Sequence, residues 1–279
     1  MKNSIWLVTG ASKGLGLELV LTLLKEGYQV AATSRKLSDL EKAIGSQSRN
    51  FLPLQVNLVD ETSVQSAIDA TVQYFGGLDV VVNNAGFALA GALEELSDAE
   101  VRFNFDVNVF GVLNVIRQAL PYLRKQQSGH IFNIASVGGF TGLFPGFGIY
   151  CATKFAVHGL TESLNMEIKE FGVHATVVSP GYFRTNFLEP SSLVVPKKAL
   201  SDYTRARQSQ VVHQQEINGN QPGDPAKAAA VLIEVSKMEQ PPLHLFLGED
   251  AYQFAAEKIK FVEKELDRLK QLATTTSYN

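Results

Sequence analysis

The sequence is poor in cysteine, carries no excess of either charge and contains no long apolar run. Cys151 stands alone, so an internal disulfide is excluded, as are zinc clusters built from paired cysteines. No metal-ligating set is read from the chain. A single thiol fits a reducing compartment. Lys plus Arg is 25 and Asp plus Glu is 28, a formal charge of −3. That balance argues against general nucleic-acid binding and against a polybasic membrane anchor. The longest stretch free of Asp, Glu, Lys and Arg runs from Gln126 to Thr153. Glycines, a proline and several Ser, Thr and Asn interrupt it, so it fails as a membrane helix. The run Ile5-Trp6-Leu7-Val8 is too short for a signal-peptide core and passes directly into Thr9-Gly10. The expectation is a soluble, cytoplasmic protein with no nucleic-acid or membrane partner.

What is present is alternation. The chain has 279 residues, 45% apolar and 19% charged, an ordinary globular composition. Short β-rich runs at 4–9, 29–34, 51–57, 78–83, 130–135, 174–179 and 243–247 alternate with helical patterns at 14–26, 38–44, 61–75, 98–125, 150–171 and 225–237. Strands nearly continuous in Val, Ile and Leu, joined by crossover-length helices, predict an α/β fold: a doubly wound parallel sheet with helices on both faces. The Rossmann-like domain is expected over 1–248. Within it, 181–223 is long, polar and proline-bearing, and is expected to act as a substrate lid. Residues 249–279 are expected to form an amphipathic helix, with Ala255, Ile259, Val262, Leu266 and Leu269 on one face, and a disordered tail.

Three constellations carry chemistry. Thr9-Gly10-Ala11-Ser12-Lys13-Gly14-Leu15-Gly16 lies between the first strand and the first helix. There, glycines permit a tight turn and a close approach to a pyrophosphate, and the helix N-terminus offers free N–H groups. The second strand ends in Thr33-Ser34-Arg35-Lys36, with no acid to hold a ribose 2′-hydroxyl. Arg35 suits a 2′-phosphate instead, with Lys13 as a second cation, so NADP (as NADPH) is favoured over NAD. The third is Tyr150-Cys151-Ala152-Thr153-Lys154. Four residues apart on a helix, phenol and ammonium share a face, and the ammonium is expected to bring the phenol pKa towards the working range. Ser136 ends one strand, Asn83-Asn84-Ala85-Gly86 ends another at the same sheet edge, and Asn108 interrupts a long helix.

Together, Thr9-Gly10-X3-Gly14-X-Gly16, Asn83-Asn84-Ala85-Gly86, Asn108, Ser136, Tyr150-X3-Lys154 and Pro180-Gly181 resemble the short-chain dehydrogenase/reductase family, in its order and spacings, from residue 4 to about residue 248. The resemblance implies a seven-stranded parallel sheet of order 3-2-1-4-5-6-7 in one domain. It implies a catalytic set: Tyr150 as proton donor, Lys154 holding the nicotinamide ribose and lowering the Tyr150 pKa, Ser136 orienting the carbonyl, and Asn108 holding a water that links Lys154 to solvent. It also implies a cofactor groove. Gly10, Ser12, Lys13, Gly14, Leu15 and Gly16 would supply the first turn, Ser34 and Arg35 the ribose end, and Asn57 and Leu58 the adenine side. Asn84, Ala85, Gly86, Pro180, Gly181 and Thr185, with Tyr150 and Lys154, would complete it. Asn57 departs from the family's usual Asp, but its amide oxygen still accepts a hydrogen bond.

Phe140, Leu143, Phe144, Phe147, Phe87, Leu89, Tyr182, Phe183, Phe187 and Leu188 are candidates for an apolar pocket suited to a hydrophobic ketone, aldehyde or alcohol. The leading reading is an NADPH-dependent carbonyl reductase, reversible to alcohol oxidation. A non-catalytic dinucleotide sensor on the same fold is discounted because Tyr150 and Lys154 are both present. A reductase of carrier-bound acyl substrates would need a basic patch, for which Lys197, Lys198, Arg205 and Arg207 are the local candidates. The helices at 98–125 and 150–171 carry apolar residues beyond one face, among them Phe103, Phe105, Phe110 and Val157. A homodimer or homotetramer through these helices is therefore expected.

Overall fold

The computed structural model describes residues 4–278. The strands are, in chain order, β1 (Ile5–Val8), β2 (Gln29–Ser34), β3 (Phe51–Gln55), β4 (Val80–Asn83), β5 (Ala88–Leu89), β6 (Gly129–Ile134), β7 (Val173–Pro180), β8 (Leu193–Val194) and β9 (His244–Leu247). The helices are α1 (Gly14–Lys25), α2 (Leu37–Ala43), α3 (Glu61–Phe75), α4 (Asp98–Phe105), α5 (Gly111–Gln126), α6 (Gly148–Ile168), α7 (Thr204–Val211), α8 (Pro225–Ser236) and α9 (Glu249–Ala273). Seven strands form one sheet in the order β3-β2-β1-β4-β6-β7-β9, every neighbouring pair parallel. The expected order is thus found, and the strand order reverses between β1 and β4, where a ligand crevice opens.

Side chains alternate across the sheet. Trp6, Val8, Val80, Val82 and Phe132 point to the layer packed by α1 and α8. Leu7, Val81 and Ile131 point to the layer packed by α3, α5 and α6. Both faces being covered explains strands that are almost wholly apolar. Local signals set the helix ends: Asp60 caps α3 and Gly76 closes it at φ 89°, Ser97 and Glu100 form a capping box on α4, and Asp224-Pro225 opens α8.

The structure departs from the sequence expectations in four places. The helix expected over 98–125 is interrupted by a π-helical turn, Asp106–Phe110, around Asn108; an extra residue in the helical repeat is a frequent device at functional sites. The connection 181–223 is not structureless. It contains β8, which pairs in parallel with β5, then α7 and a second π-helical turn, Val212–Ile217. Val157, expected on an outward face, is fully buried in the core, because α6 turns it towards the sheet. Phe103 and Phe110 are half exposed, at 51% and 52%. The tail expected to be disordered forms a 3-10 turn, Thr274–Thr276; Asn279 lies outside the described residues. No helix among the described residues is long and apolar enough to cross a membrane.

Candidate active site

A cleft of about 1180 Å³ runs along the carboxyl edge of the sheet, from the turn after β1 to the segment after β7. At one end the wall is main chain. Gly10 and Gly14 adopt φ of +64° and +63°, and a Cβ on Gly10 would sit 2.7 Å from the Ala85 Cα. Only glycine fits there. Lys13, the N-cap of α1, makes no side-chain cap bond, so the first-turn N–H groups of α1 stay open beside the cleft. Gly16 does not line this cleft; a Cβ on it would overlap the Asn84 amide. Its role in the structure is packing. Asn84 Nδ2 donates to Thr9 O at 2.9 Å and to Gly10 O at 3.0 Å, while Thr9 Oγ1 accepts from the Asn84 and Ala85 N–H groups. The Asn-Asn-Ala-Gly segment therefore braces the glycine turn.

Ser12, Leu15, Ser34, Arg35, Asn57, Leu58, Ala85 and Gly86 line the same end. The Ser12 and Ser34 hydroxyls are 3.3 Å apart. Leu58 is fixed by its carbonyl, which accepts from Asn114 Nδ2 at 2.8 Å. Asn57 Oδ1 already accepts from Val59 N–H at 3.3 Å, so one lone pair remains for a ligand. Four cations, Lys13, Arg35, Lys36 and Lys42, face one carboxylate, Asp39. The Lys13 ammonium is also held by Ser191 Oγ at 2.8 Å; burial, and then Arg35, push its pKa below the usual value.

Further along, Ser136, Tyr150 and Lys154 meet on one wall, with Pro180, Gly181 and Thr185 opposite. Ser136 caps a 3-10 turn after β6, its Oγ accepting from Gly138 N–H at 3.1 Å. Lys154 Nζ donates to Ile134 O at 2.9 Å and lies 5.8 Å from the Tyr150 ring centre. Burial draws the Lys154 ammonium down to about 8. Burial likewise pushes the Tyr150 phenol well above its ordinary range, with the Ser136 hydroxyl acting in the opposite direction. Lys154 is not among the influences on the phenol in the free protein. Both groups are desolvated in one pocket, and the loss of hydration is the largest influence on each. The phenol is protonated at neutral pH, the state an acid requires.

Asn108 does not line the cleft. It is fully buried, its Oδ1 accepting from Phe87 N–H at 3.1 Å and its Nδ2 donating to Phe87 O and to Thr153 Oγ1 at 3.0 and 3.1 Å. Thr153 Oγ1 in turn donates to Tyr150 O at 2.7 Å. The side chain thus braces the start of α6, and Oδ1 keeps one lone pair. Thr185 Oγ1 accepts from Phe187 N–H, and the side chain packs against Gly14.

Of the apolar candidates, Phe87, Phe144, Phe147, Tyr182, Phe183, Phe187 and Leu188 line the cleft, joined by Cys151, His213 and Gln221. Phe140 packs on Phe246, Leu89 is buried in the small β5–β8 unit, and Leu143 faces solvent. His213 and Gln221 carried no signal in the sequence, because both sit in the polar connection where periodicity is lost. Glu95 was missed as well. Its buried carboxylate accepts from Ala92 N–H, Leu200 N–H and Arg207, pinning the connection 181–223 to the segment after β5. Burial alone would raise its pKa, but those donors outweigh it and hold the carboxyl below the usual range. Arg207 is therefore engaged and not free to dock an acidic partner.

The family model for short chain dehydrogenase matches residues 4–193. The chain belongs to the short-chain dehydrogenase family. Oxidoreductase BOA17 of Botryotinia fuckeliana is 32% identical over 276 residues, covering 99% of this chain and 100% of that protein. The 3-ketodihydrosphingosine reductase of Bacteroides thetaiotaomicron is 34% identical over 250 residues, 89% of each chain. A short-chain dehydrogenase structure from Streptomyces avermitilis superposes with a TM-score of 0.90 at 32% identity, covering 99% of this chain and 100% of that one. The NADP-bound structure of ElxO superposes at 0.71 with 28% identity, covering 88% and 96%. As a short-chain dehydrogenase the protein is an oxidoreductase of Rossmann-like fold.

Proposed function

We propose that this short-chain dehydrogenase is an NADP(H)-dependent carbonyl reductase that converts a hydrophobic ketone or aldehyde to the alcohol, reversibly. The observation that carries the reading is the convergence of Ser136, Tyr150 and Lys154 on one wall of a cleft whose other end combines an uncapped helix N-terminus with four cations. The residues fit a phosphorylated dinucleotide. The glycine turn and the open N–H groups of α1 suit a pyrophosphate, and Arg35 with Lys13 suits a 2′-phosphate. NADPH, when bound, supplies the hydride.

The chain's own groups supply the rest. Tyr150 gives its proton to the carbonyl oxygen as the alcohol forms, and the Ser136 hydroxyl holds that oxygen in place. Lys154 hydrogen-bonds the ribose and shares the pocket with the phenol. Asn108 orients the first turn of α6 through Thr153, and Gly86 leaves room for the Asn108 amide: a Cβ there would lie 3.1 Å from Oδ1. Phe144, Phe147, Phe187 and Leu188 exclude water and receive an apolar chain. The relative that reduces 3-ketodihydrosphingosine supports a ketone joined to a long chain. The carrier-bound alternative is weakened by the engagement of Arg207 with Glu95. We further propose a homodimer or homotetramer, covering Phe103 and Phe110 on the α4–α5 surface. Turnover of a panel of ketones and alcohols with NADPH and NADH tests the activity; no oxidation or reduction with either cofactor would remove the reading.

A further inference from the structure

Where the lid roofs the cleft it contributes three polar side chains that proton transfer to a carbonyl does not use. Gln221 is 1% exposed and lines the cleft, yet neither its Nε2 nor its Oε1 has a hydrogen-bond partner. A buried donor or acceptor left unmade costs about 1–3 kcal/mol. The main chain around it is fixed. Gln221 O accepts from Arg184 Nε at 3.2 Å, Gly223 N–H donates to Tyr182 O at 2.9 Å, and Phe183 bridges to Gly223. The main chain at Gln221 is thus held in place while the amide goes unused.

Its neighbours are occupied with each other. His213 Nδ1 lies 2.7 Å from Ser209 O, which can only accept, so this nitrogen carries the proton. Nε2 then accepts from the Tyr182 hydroxyl at 2.9 Å. The remaining wall is aromatic and aliphatic. An ionised ligand group would satisfy half of the Gln221 amide: a carboxylate only accepts and an ammonium only donates. A hydroxyl or a carboxamide does both.

We propose that Gln221 is a specificity-determining residue that recognises a neutral donor–acceptor group, a hydroxyl or carboxamide, on the ketone substrate. The substrate class is then a polar-substituted ketone with an apolar tail. This rests on the carbonyl reductase reading and narrows it. A site built to hydrogen-bond a substrate group discriminates strongly against the analogue lacking it, because the protein's own polar atoms are left unpaired.

The test uses three ketones of equal chain length: an alkyl methyl ketone, the corresponding hydroxymethyl ketone and the β-keto carboxamide. Wild type should favour at least one polar ketone over the plain one by about tenfold or more in kcat/KM. Gln221→Leu should bring that ratio close to unity by raising KM for the polar ketone, and leave the plain ketone unchanged. Because Gln221 makes no side-chain bond in the protein, this variant should match or exceed the wild-type Tm. Which polar ketone responds separates hydroxyl from carboxamide recognition. A ratio unaltered by the substitution, or an equal loss on all three ketones, would overturn the proposal. So would weakened NADPH binding by fluorescence titration, which would assign Gln221 to the cofactor. A calorimetric arm needs no turnover: the saturated fatty amide of equal length should bind the NADP-loaded wild type about tenfold more tightly than the variant. Equal affinity there overturns the role of Gln221. Absence of turnover with every ketone strikes the reductase reading instead and leaves the calorimetry to decide on Gln221.

Discussion

At the glycine-turn end of the cleft the walls are backbone and short turns tied to the sheet; at the other end they are side chains delivered by the long connection between β7 and α8. Gly10 cannot take a Cβ because Ala85 lies against it, and Thr9 and Asn84 lock two strand ends together. Across the cleft, β8, α7 and the turn Val212–Ile217 rest on a satellite cluster formed by Ala88, Phe147, Cys151 and Leu193, and are latched by Glu95. A surface made of main chain fixes the ligand's common parts, whereas one made of side chains on a connection can be changed without disturbing the sheet.

The largest expected effect separates the two ends most cleanly. Tyr150→Phe removes the proton and keeps the ring, so carbonyl reduction should fall at least about 100-fold. NADPH affinity, read by fluorescence titration, should barely change. Near wild-type turnover would show that another group is the acid.

Next comes the cofactor end alone. Arg35→Asp exchanges attraction for repulsion at the 2′-phosphate and supplies an acceptor for a free ribose hydroxyl. Efficiency with NADPH should fall by several tens-fold, while that with NADH holds or rises, in kcat/KM at matched ionic strength. A wild type that prefers NADH would remove the NADP assignment.

The side-chain end can be loosened by Glu95→Gln, which leaves Arg207 without its charged partner. The expected loss is on the order of 2 kcal/mol, below that of a fully buried pair because Arg207 keeps some solvent. Hydrogen exchange should rise across 181–223 but not across α1, and KM for the ketone should increase about tenfold with NADPH affinity unchanged. Uniform acceleration over the whole domain would erase the distinction between the two ends. In the wild type, NADPH should slow exchange of the same segment; equal protection with and without it would end the lid interpretation.

The smallest effect should fall on both ends alike. His130, at the start of β6, and His158, on α6, are buried, and burial lowers their pKa values to about 3 and about 4 from the usual 6.5. Between those values the unfolded chain binds more protons than the folded one. Their contribution is therefore intact above about pH 6.5 and is lost as pH falls towards 4. Tm should drop over that window, and His158→Gln should flatten the slope by removing one of the two protonation sites. A pH-independent Tm between 6.5 and 4 would contradict the burial of these rings.

The seven strands were legible because a sheet covered on both faces demands nearly continuous apolar residues, as in Ile5–Val8 and Val80–Val82. The glycine turn, Arg35, Ser136, Tyr150 and Lys154 were legible because each sits at a strand end or at fixed helical spacing. Gln221, His213 and Glu95 were not. Nothing in residues 181–223 repeats with a helix or strand period, and β8 and α7 form by resting on β5 and the segment after it, contacts remote in sequence.

The sequence by itself determined the alternation, the parallel sheet and the positions of the reactive side chains along the chain, since periodicity and local turn chemistry are properties of neighbours. Which groups share one desolvated pocket follows from tertiary contacts. The tertiary structure set the protonated state of Tyr150, turned the Asn108 amide towards Phe87 and Thr153, and left Gln221 unpartnered at the roof of the cleft. Burial and hydrogen-bond satisfaction depend on residues brought together from distant parts of the chain, and no local pattern encodes them.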